Sequence, residues 1–265
     1  MADVAMTTGK PKVELRELGR TGLRVSRLGF GAFKIGRNQG IKYSSGYDLP
    51  DEAEVARLLN GLLDLGICYF DTAPAYGLSE ARIGRAISHR RGAFVLSTKA
   101  GERFEDGRST YDFSPRAIRE SVARSRERLC AGVIDVLFLH ATGDDLGLAT
   151  DAEIVSTLHD LKQAGVVAAI GLSARTRAAA QAALAWADVL MLEYHAGDRA
   201  QEPVISAAAE AGVGVVIKKG LASGRLPAEA AIRFVLGNAG VDSLVVGGLD
   251  MGHMVENLRI AQACG

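Results

Sequence analysis

Three cysteines in 265 residues, Cys68, Cys130 and Cys264, are too few and too scattered for a disulfide framework or a zinc site. Cys68 falls in an apolar run, where a free thiol acts as a small hydrophobe. Net charge is absent as well, since 31 Lys and Arg balance 31 Asp and Glu. No overall field therefore draws the chain toward nucleic acid or an anionic membrane, and the arginines in 116–128 read as a solvated helix face. No apolar stretch approaches the ~20 residues that span a bilayer. The opening "MADVAMTTGKPK" lacks the apolar core of a secretory signal, so a cytoplasmic protein with residues 1–12 disordered is expected. His89, His159, His195 and His253 have no metal-ligand spacing, and no metal site is expected. What remains is ordinary globular composition, 48% hydrophobic and 23% charged. The length suits one α/β barrel, which takes ~250 residues, or two smaller domains.

Short apolar runs alternate with amphipathic stretches along nearly the whole chain. The runs are 27–31, 68–71, 94–99, 134–140, 166–173, 188–194, 214–219 and 243–248. Continuous apolar runs fit parallel strands covered on both faces. Between them the helices announce themselves. Asp51 with Glu54 has capping-box spacing ahead of the stripe Val55, Leu58, Leu59, Leu62. Ser114 precedes Pro115 at a helix start, and Thr150 with Glu153 repeats the capping pattern. Further helices read at 79–88, 175–185, 199–211, 227–236 and 251–263. Eight βα units in series predict a single-domain (β/α)₈ TIM barrel over residues 1–265. A doubly wound sheet ranks second, because "GFGAFKIGRNQG" after the first run holds no GxGxxG loop. Residues 13–26, turning at Gly22, read as a short hairpin able to plug the N-terminal mouth. The segments 35–50, 102–113 and 141–149 read as rim loops, which set specificity in such barrels.

Barrel chemistry sits at the C-terminal strand ends. The second run ends in Asp71 with Tyr76 just beyond, the third in Lys99 and the fourth in His140. A phenol, with a pKa near ~10, is a poor proton donor at neutral pH. A nearby ammonium lowers that pKa, and a carboxylate keeps the amine charged. Such a tyrosine can protonate a carbonyl oxygen while hydride reaches the carbon. Phe33, Tyr43 and Tyr47 are candidates for a substrate wall; Glu193 and Tyr194 either line the pocket or pack.

The motifs "LGRTGLRVSRLGFGAF" (18–33), "FDTAPAYGLSEARIGRAI" (70–87), "LSTKAG" (96–101), "IDVLFLH" (134–140), "GLS" (171–173) and "VENL" (255–258) resemble those of the aldo-keto reductase superfamily. The resemblance implies Tyr76 as general acid/base, Lys99 as the pKa-lowering cation, Asp71 as its partner and His140 as the group orienting the carbonyl. It implies an NADP or NAD cofactor across the barrel mouth and an aldehyde, ketone or sugar as substrate. Gly31, Ala32 and Phe33 would contact the cofactor, and Ser173 its carboxamide. Leu221, Ser223, Gly224 and Arg225 would suit the pyrophosphate, and Glu256 and Asn257 the adenine. The pattern departs from the family at Ala174, where an Asn is usual, and at Met191, where a Gln is usual. It departs again after the seventh run, where Lys218 or Lys219 stands in place of a stacking Tyr. No Lys or Arg lies between Leu244 and Asn257, and Asp250 would repel a 2′-phosphate, so NAD(H) is expected to serve as well as or better than NADP(H). Two other readings are a non-catalytic nucleotide-binding barrel and a barrel using Lys99 as a Schiff-base amine. The short C-terminal end leads to the expectation of an open site or one completed by a partner subunit.

Overall fold

The computed structural model describes residues 13–41, 46–141 and 143–264. The expectation of disorder over 1–12, and Tyr43 of the substrate wall, lie outside the described residues.

The chain opens with an antiparallel hairpin, β1 (Leu15–Glu17) and β2 (Arg24–Ser26). The barrel series follows: β3 (Leu28–Gly31), α1 (Glu52–Asp64), β4 (Tyr69–Asp71), α2 (Ser79–Ile87) and β5 (Val95–Ala100). A second hairpin, β6 (Glu102–Glu105) and β7 (Arg108–Tyr111), precedes α3 (Pro115–Leu129) and β8 (Ile134–His140). Next come α4 (Asp145–Thr150), α5 (Ala152–Gln163), β9 (Val167–Ser173), α6 (Arg177–Ala183) and β10 (Val189–Glu193). The chain finishes with α7 (Glu202–Ala211), β11 (Gly214–Lys218), α8 (Ala228–Leu236), β12 (Ser243–Val246) and α9 (Met251–Gln262). Every barrel pairing is parallel, and β12 pairs with β3 to close the ring β10-β11-β12-β3-β4-β5-β8-β9. That closure settles the choice between barrel and doubly wound sheet. Among the described residues no helix is long and apolar enough to cross a membrane.

The core has two layers. Outward-facing strand residues such as Phe30, Phe70, Leu96 and Leu137 meet the helices' apolar stripes. Inward-facing Tyr69, Val95, Val136, Phe138, Val189, Met191 and Val216 fill the barrel itself. Leu18 and Val25 of the first hairpin join that inner cluster, so the hairpin closes the N-terminal end. Its turn is pressed on the start of β11: Arg20 N donates to Gly212 O at 2.9 Å, and a Cβ on Gly19 would lie 2.3 Å from Gly214 N. With that end sealed, chemistry is left to the other.

Helix starts follow local chemistry. The Asp51 carboxylate accepts from Glu54 N and the Glu54 carboxylate from Asp51 N, as the spacing implied. Ser114 caps α3 ahead of Pro115. Thr150 does not cap a helix. It closes α4, its hydroxyl donating back to Leu146 O, while the Asp151 carboxylate accepts from both Glu153 N and Ile154 N to start α5. The carboxylate displaces the hydroxyl because it satisfies two orphan donors at once. The rim segment 102–113 is not a loop either. Asp106 and Gly107 have φ of 48° and 78°, the left-handed pair of a two-residue hairpin turn. The segment 141–149 holds most of α4.

Candidate functional site

Tyr76 is aimed by a tight crossing of two chain segments. Beyond β4 the backbone makes a single 3-10 turn, Pro74–Tyr76, and then reverses at Gly77 with φ 60° and ψ −115°. A Cβ on Gly77 would sit 2.4 Å from Gly36 O, and one on Gly36 would sit 2.1 Å from Tyr76 O. Only glycine fits both places. The following residues bracket the turn. Ser79 Oγ donates to Ala32 O (2.9 Å) and shares a 2.8 Å hydrogen bond with Thr72 Oγ1. Fully buried Glu80 accepts from Thr98 Oγ1 (2.6 Å) and pairs with Arg128 (2.6 Å). The "YGLSE" stretch thus ties β3, β5 and α3 to the loop that carries the phenol.

Asp71 ends β4 and Lys99 stands two residues beyond its neighbour Ser97 in the register with β5. Lys99 Nζ donates to both Asp71 oxygens at 2.7 Å and to Thr72 O at 2.8 Å. Burial works most strongly against the ammonium, but Asp71 and Tyr76 together hold the Lys99 pKa above its ordinary 10.5. Ser97 Oγ donates to Asp71 Oδ1 (2.7 Å) and accepts from Tyr69 OH (3.0 Å). The Tyr76 ring lies 4.9 Å from Lys99 Nζ, edge-to-face with Phe33 at 5.1 Å and with His140 at 6.1 Å. All four strand-end residues singled out in the sequence therefore meet at one rim.

The electrostatics differ from the expected lowered phenol pKa. Lys99 does pull Tyr76 down, but burial is the larger effect and Asp71 adds to it, so the pKa rises above 10. Asp71, 2.7 Å from the ammonium, opposes its pull on the phenol without exceeding it. His140 is pushed below its ordinary 6.5 by burial, with Glu102 opposing. Glu102 Oε2 lies 2.9 Å from His140 Nδ1. Burial alone would raise Glu102, but His140, the Ser109 hydroxyl and Arg37 hold it at about 2.

The other predicted positions divide. Ser173, at the end of β9 beside His140 in the register, accepts from Lys218 Nζ at 2.7 Å. Lys219 pairs with Glu193 at 2.5 Å. Ala222, Ser223 and Gly224 are left-handed in succession, with φ of 49°, 59° and 86°. That leaves an exposed glycine beside exposed Arg225, while Leu221 packs on the core. Backbone of this kind together with a cation fits a diphosphate. The carboxamide end is sparser. Ala174 uses its N–H on Met191 O, and the Met191 side chain lies in the barrel interior, which leaves Ser173 and Lys218 as the polar groups. Gly31 ends β3 where a Cβ would press on Val245 at 2.9 Å, and Ala32 faces the core. On α9, Glu256 is engaged by Arg259 at 2.7 and 2.9 Å, and Asn257 is buried. Tyr194 is not a pocket residue: its ring packs on Phe234 and its hydroxyl donates to Glu202. Tyr47 donates to Arg37 O. Glu102, Ser97 and Arg37 were not singled out in the sequence. The Asp106-Gly107 dipeptide flanked by β-forming residues was the available signal that Glu102 begins a strand rather than a loop.

A family model described as the aldo/keto reductase family matches residues 27–229. The chain belongs to that family. This aldo-keto reductase is 31% identical to D-threo-aldose 1-dehydrogenase from a Pseudomonas species, over 91% of this chain and 90% of the relative. It is 36% identical over 171 residues to L-galactose dehydrogenase from Arabidopsis thaliana, a match spanning 61% of this chain and about half (49%) of the plant protein. A solved structure of an aldo-keto reductase from Pseudomonas aeruginosa superposes with a TM-score of 0.87 at 40% identity, covering 94% of this chain and 95% of that one. The relatives are oxidoreductases, and NAD(P)-dependent carbonyl chemistry is the general kind to which the fold and family point.

Proposed function

We propose that the chain reduces the carbonyl of a small aldehyde, ketone or sugar, or oxidises the corresponding alcohol, with Tyr76 as general acid/base. The observation that carries this reading is the convergence of Tyr76, the Lys99–Asp71 pair and His140 on the open end of a barrel whose other end is plugged. When bound, a nicotinamide dinucleotide supplies or accepts the hydride. Ser173 and Lys218 would hold its carboxamide end, and Ser223, Gly224 and Arg225 its phosphates. Burial holds the phenol in its protonated form, so the proton is present at neutral pH, and it passes to the carbonyl oxygen only as negative charge builds there. Lys99, beside the ring, offsets the phenolate that donation leaves, and Asp71 keeps Lys99 protonated. His140, neutral near pH 7, offers a hydrogen bond to the same oxygen.

Tyr76→Phe keeps the ring packing on Phe33 and removes the proton. It is expected to abolish carbonyl turnover while NADH and NADPH fluorescence titrations stay within a few-fold of the unaltered protein. Unchanged kcat in that variant would remove the acid role. Failure to bind either cofactor at millimolar concentration would favour a non-catalytic barrel.

A further inference from the structure

The C-terminal rim carries three lysines, and their partners differ. Lys99 is clamped by Asp71 and Thr72 O. Lys219 is paired with Glu193. Lys218 has no such partner. Among the described residues no carboxylate oxygen lies within the 4.0 Å of an ion pair from its Nζ, and its hydrogen bond goes to the neutral hydroxyl of Ser173. It stands at the end of β11, half-buried, and feels the charge of both other ammoniums. Burial first, then Lys219 and Lys99, bring its pKa down to about 7, against the weaker pull of Glu193 and Asp71. A lysine kept for structure would be surrounded by acceptors, as Lys99 is. A desolvated amine beside other cations keeps a free electron pair near neutral pH, which is how nucleophilic lysines are activated.

We propose that Lys218 is a nucleophilic amine that captures small aldehydes and ketones at the barrel mouth as a reversible imine. The nitrogen attacks the carbonyl carbon. A C–N bond forms, the C=O π pair moves to oxygen, the oxygen takes up a proton and the nitrogen loses one. The carbinolamine then expels its hydroxyl, protonated, as water and leaves C=N; hydrolysis reverses both steps, and nothing is oxidised or reduced. Ser173 Oγ, at 2.7 Å, and His140, its neighbour across β8 and β9, stand where the protons must pass. An imine acidifies the adjacent C–H, so the activity this adds is α-proton exchange or carbon–carbon cleavage of hydroxycarbonyl compounds, separate from hydride transfer. The Schiff-base role thus falls to Lys218 and not to Lys99, which Asp71 holds as an ammonium.

The test is borohydride trapping of the full chain with glycolaldehyde at pH 7, followed by peptide mass mapping. The expected result is one hydroxyethyl group per chain, on Lys218. At that pH an amine with a pKa near 7 is roughly a thousandfold more deprotonated than an ordinary lysine. Labelling of Lys218 should therefore exceed that of the Asp188-paired Lys162 by at least about tenfold, with a rate that levels off above neutral pH. Lys218→Met should remove the label. A label on Lys99, an equal spread over surface lysines, or none on Lys218 of the unaltered protein overturns the proposal. Carbonyl turnover with NADH or NADPH, measured on the same preparation, reports on the reductase reading independently.

Discussion

Asp71→Asn isolates the pair at the centre of the site. The change keeps the side chain's shape and removes its charge, leaving Lys99 Nζ, 1% exposed, with Thr72 O and a neutral amide. Breaking a buried pair by removing one partner costs about 3–5 kcal/mol. The pH dependence gives a second route to the same figure. In the unaltered protein the folded pKa of Lys99 lies above its ordinary 10.5, so its stabilising contribution is present below pH 10.5 and fades as pH rises through the raised value. In the variant, burial without a carboxylate drives the amine toward neutrality. Deprotonating it at pH 7 costs about 1.4 kcal/mol for each pH unit below 10.5, a total of about 5 kcal/mol. For a chain of this length, about 2 °C of Tm corresponds to 1 kcal/mol. The expected drop is about 6–10 °C at pH 7, shrinking by about 3 °C per pH unit toward pH 10. Paired calorimetric scans of both proteins across pH 7–10 measure it. A drop under about 2 °C, or a gap that does not change with pH, would refute the buried ammonium.

Gly77→Ala places a Cβ 2.4 Å from Gly36 O at a φ of 60°. A loss of at least about 1–3 kcal/mol is expected, together with a fall in kcat from a displaced Tyr76; equal stability in urea melts would contradict the crossing. Glu102 is held at about 2 against an ordinary 4.5, so its contribution, about 3 kcal/mol at most, is present above pH 4.5 and lost as pH falls toward 2. Glu102→Gln should therefore destabilise at pH 6 and much less at pH 3, and an equal gap at both would point away from this carboxylate. Steady-state assays with both cofactors should give NAD(H) turnover similar to or better than NADP(H), because the loop ahead of α9 carries Asp250 and the chain has no Lys or Arg between Leu244 and Asn257; a strong NADP(H) preference would show that a cation from elsewhere, such as Arg259, holds the 2′-phosphate.

The amino-acid order by itself determined the eight strands, the helix caps at Asp51 and Ser114, and the four residues at the strand ends, since each is a local pattern. Apolar runs report burial on both faces, a carboxylate three residues before a glutamate closes its own box, and a polar residue ending a buried run has one end of a barrel to go to. The near miss at Thr150 is local too, a competition between adjacent oxygens that Asp151 wins by accepting two bonds. Only the tertiary structure decided the charges. Whether Tyr76 is raised or lowered depends on burial and on how far Asp71, 28 residues from Lys99 in sequence, cancels the ammonium. The pairing of Glu102 with His140 depends on a hairpin folding back over the rim. Lys218 differs from Lys219 by one position in sequence. The barrel gives one of them Glu193 and sets the other, across 45 residues, against the hydroxyl of Ser173. Proton affinity is a sum over neighbours in space, and closing the ring is what chooses them.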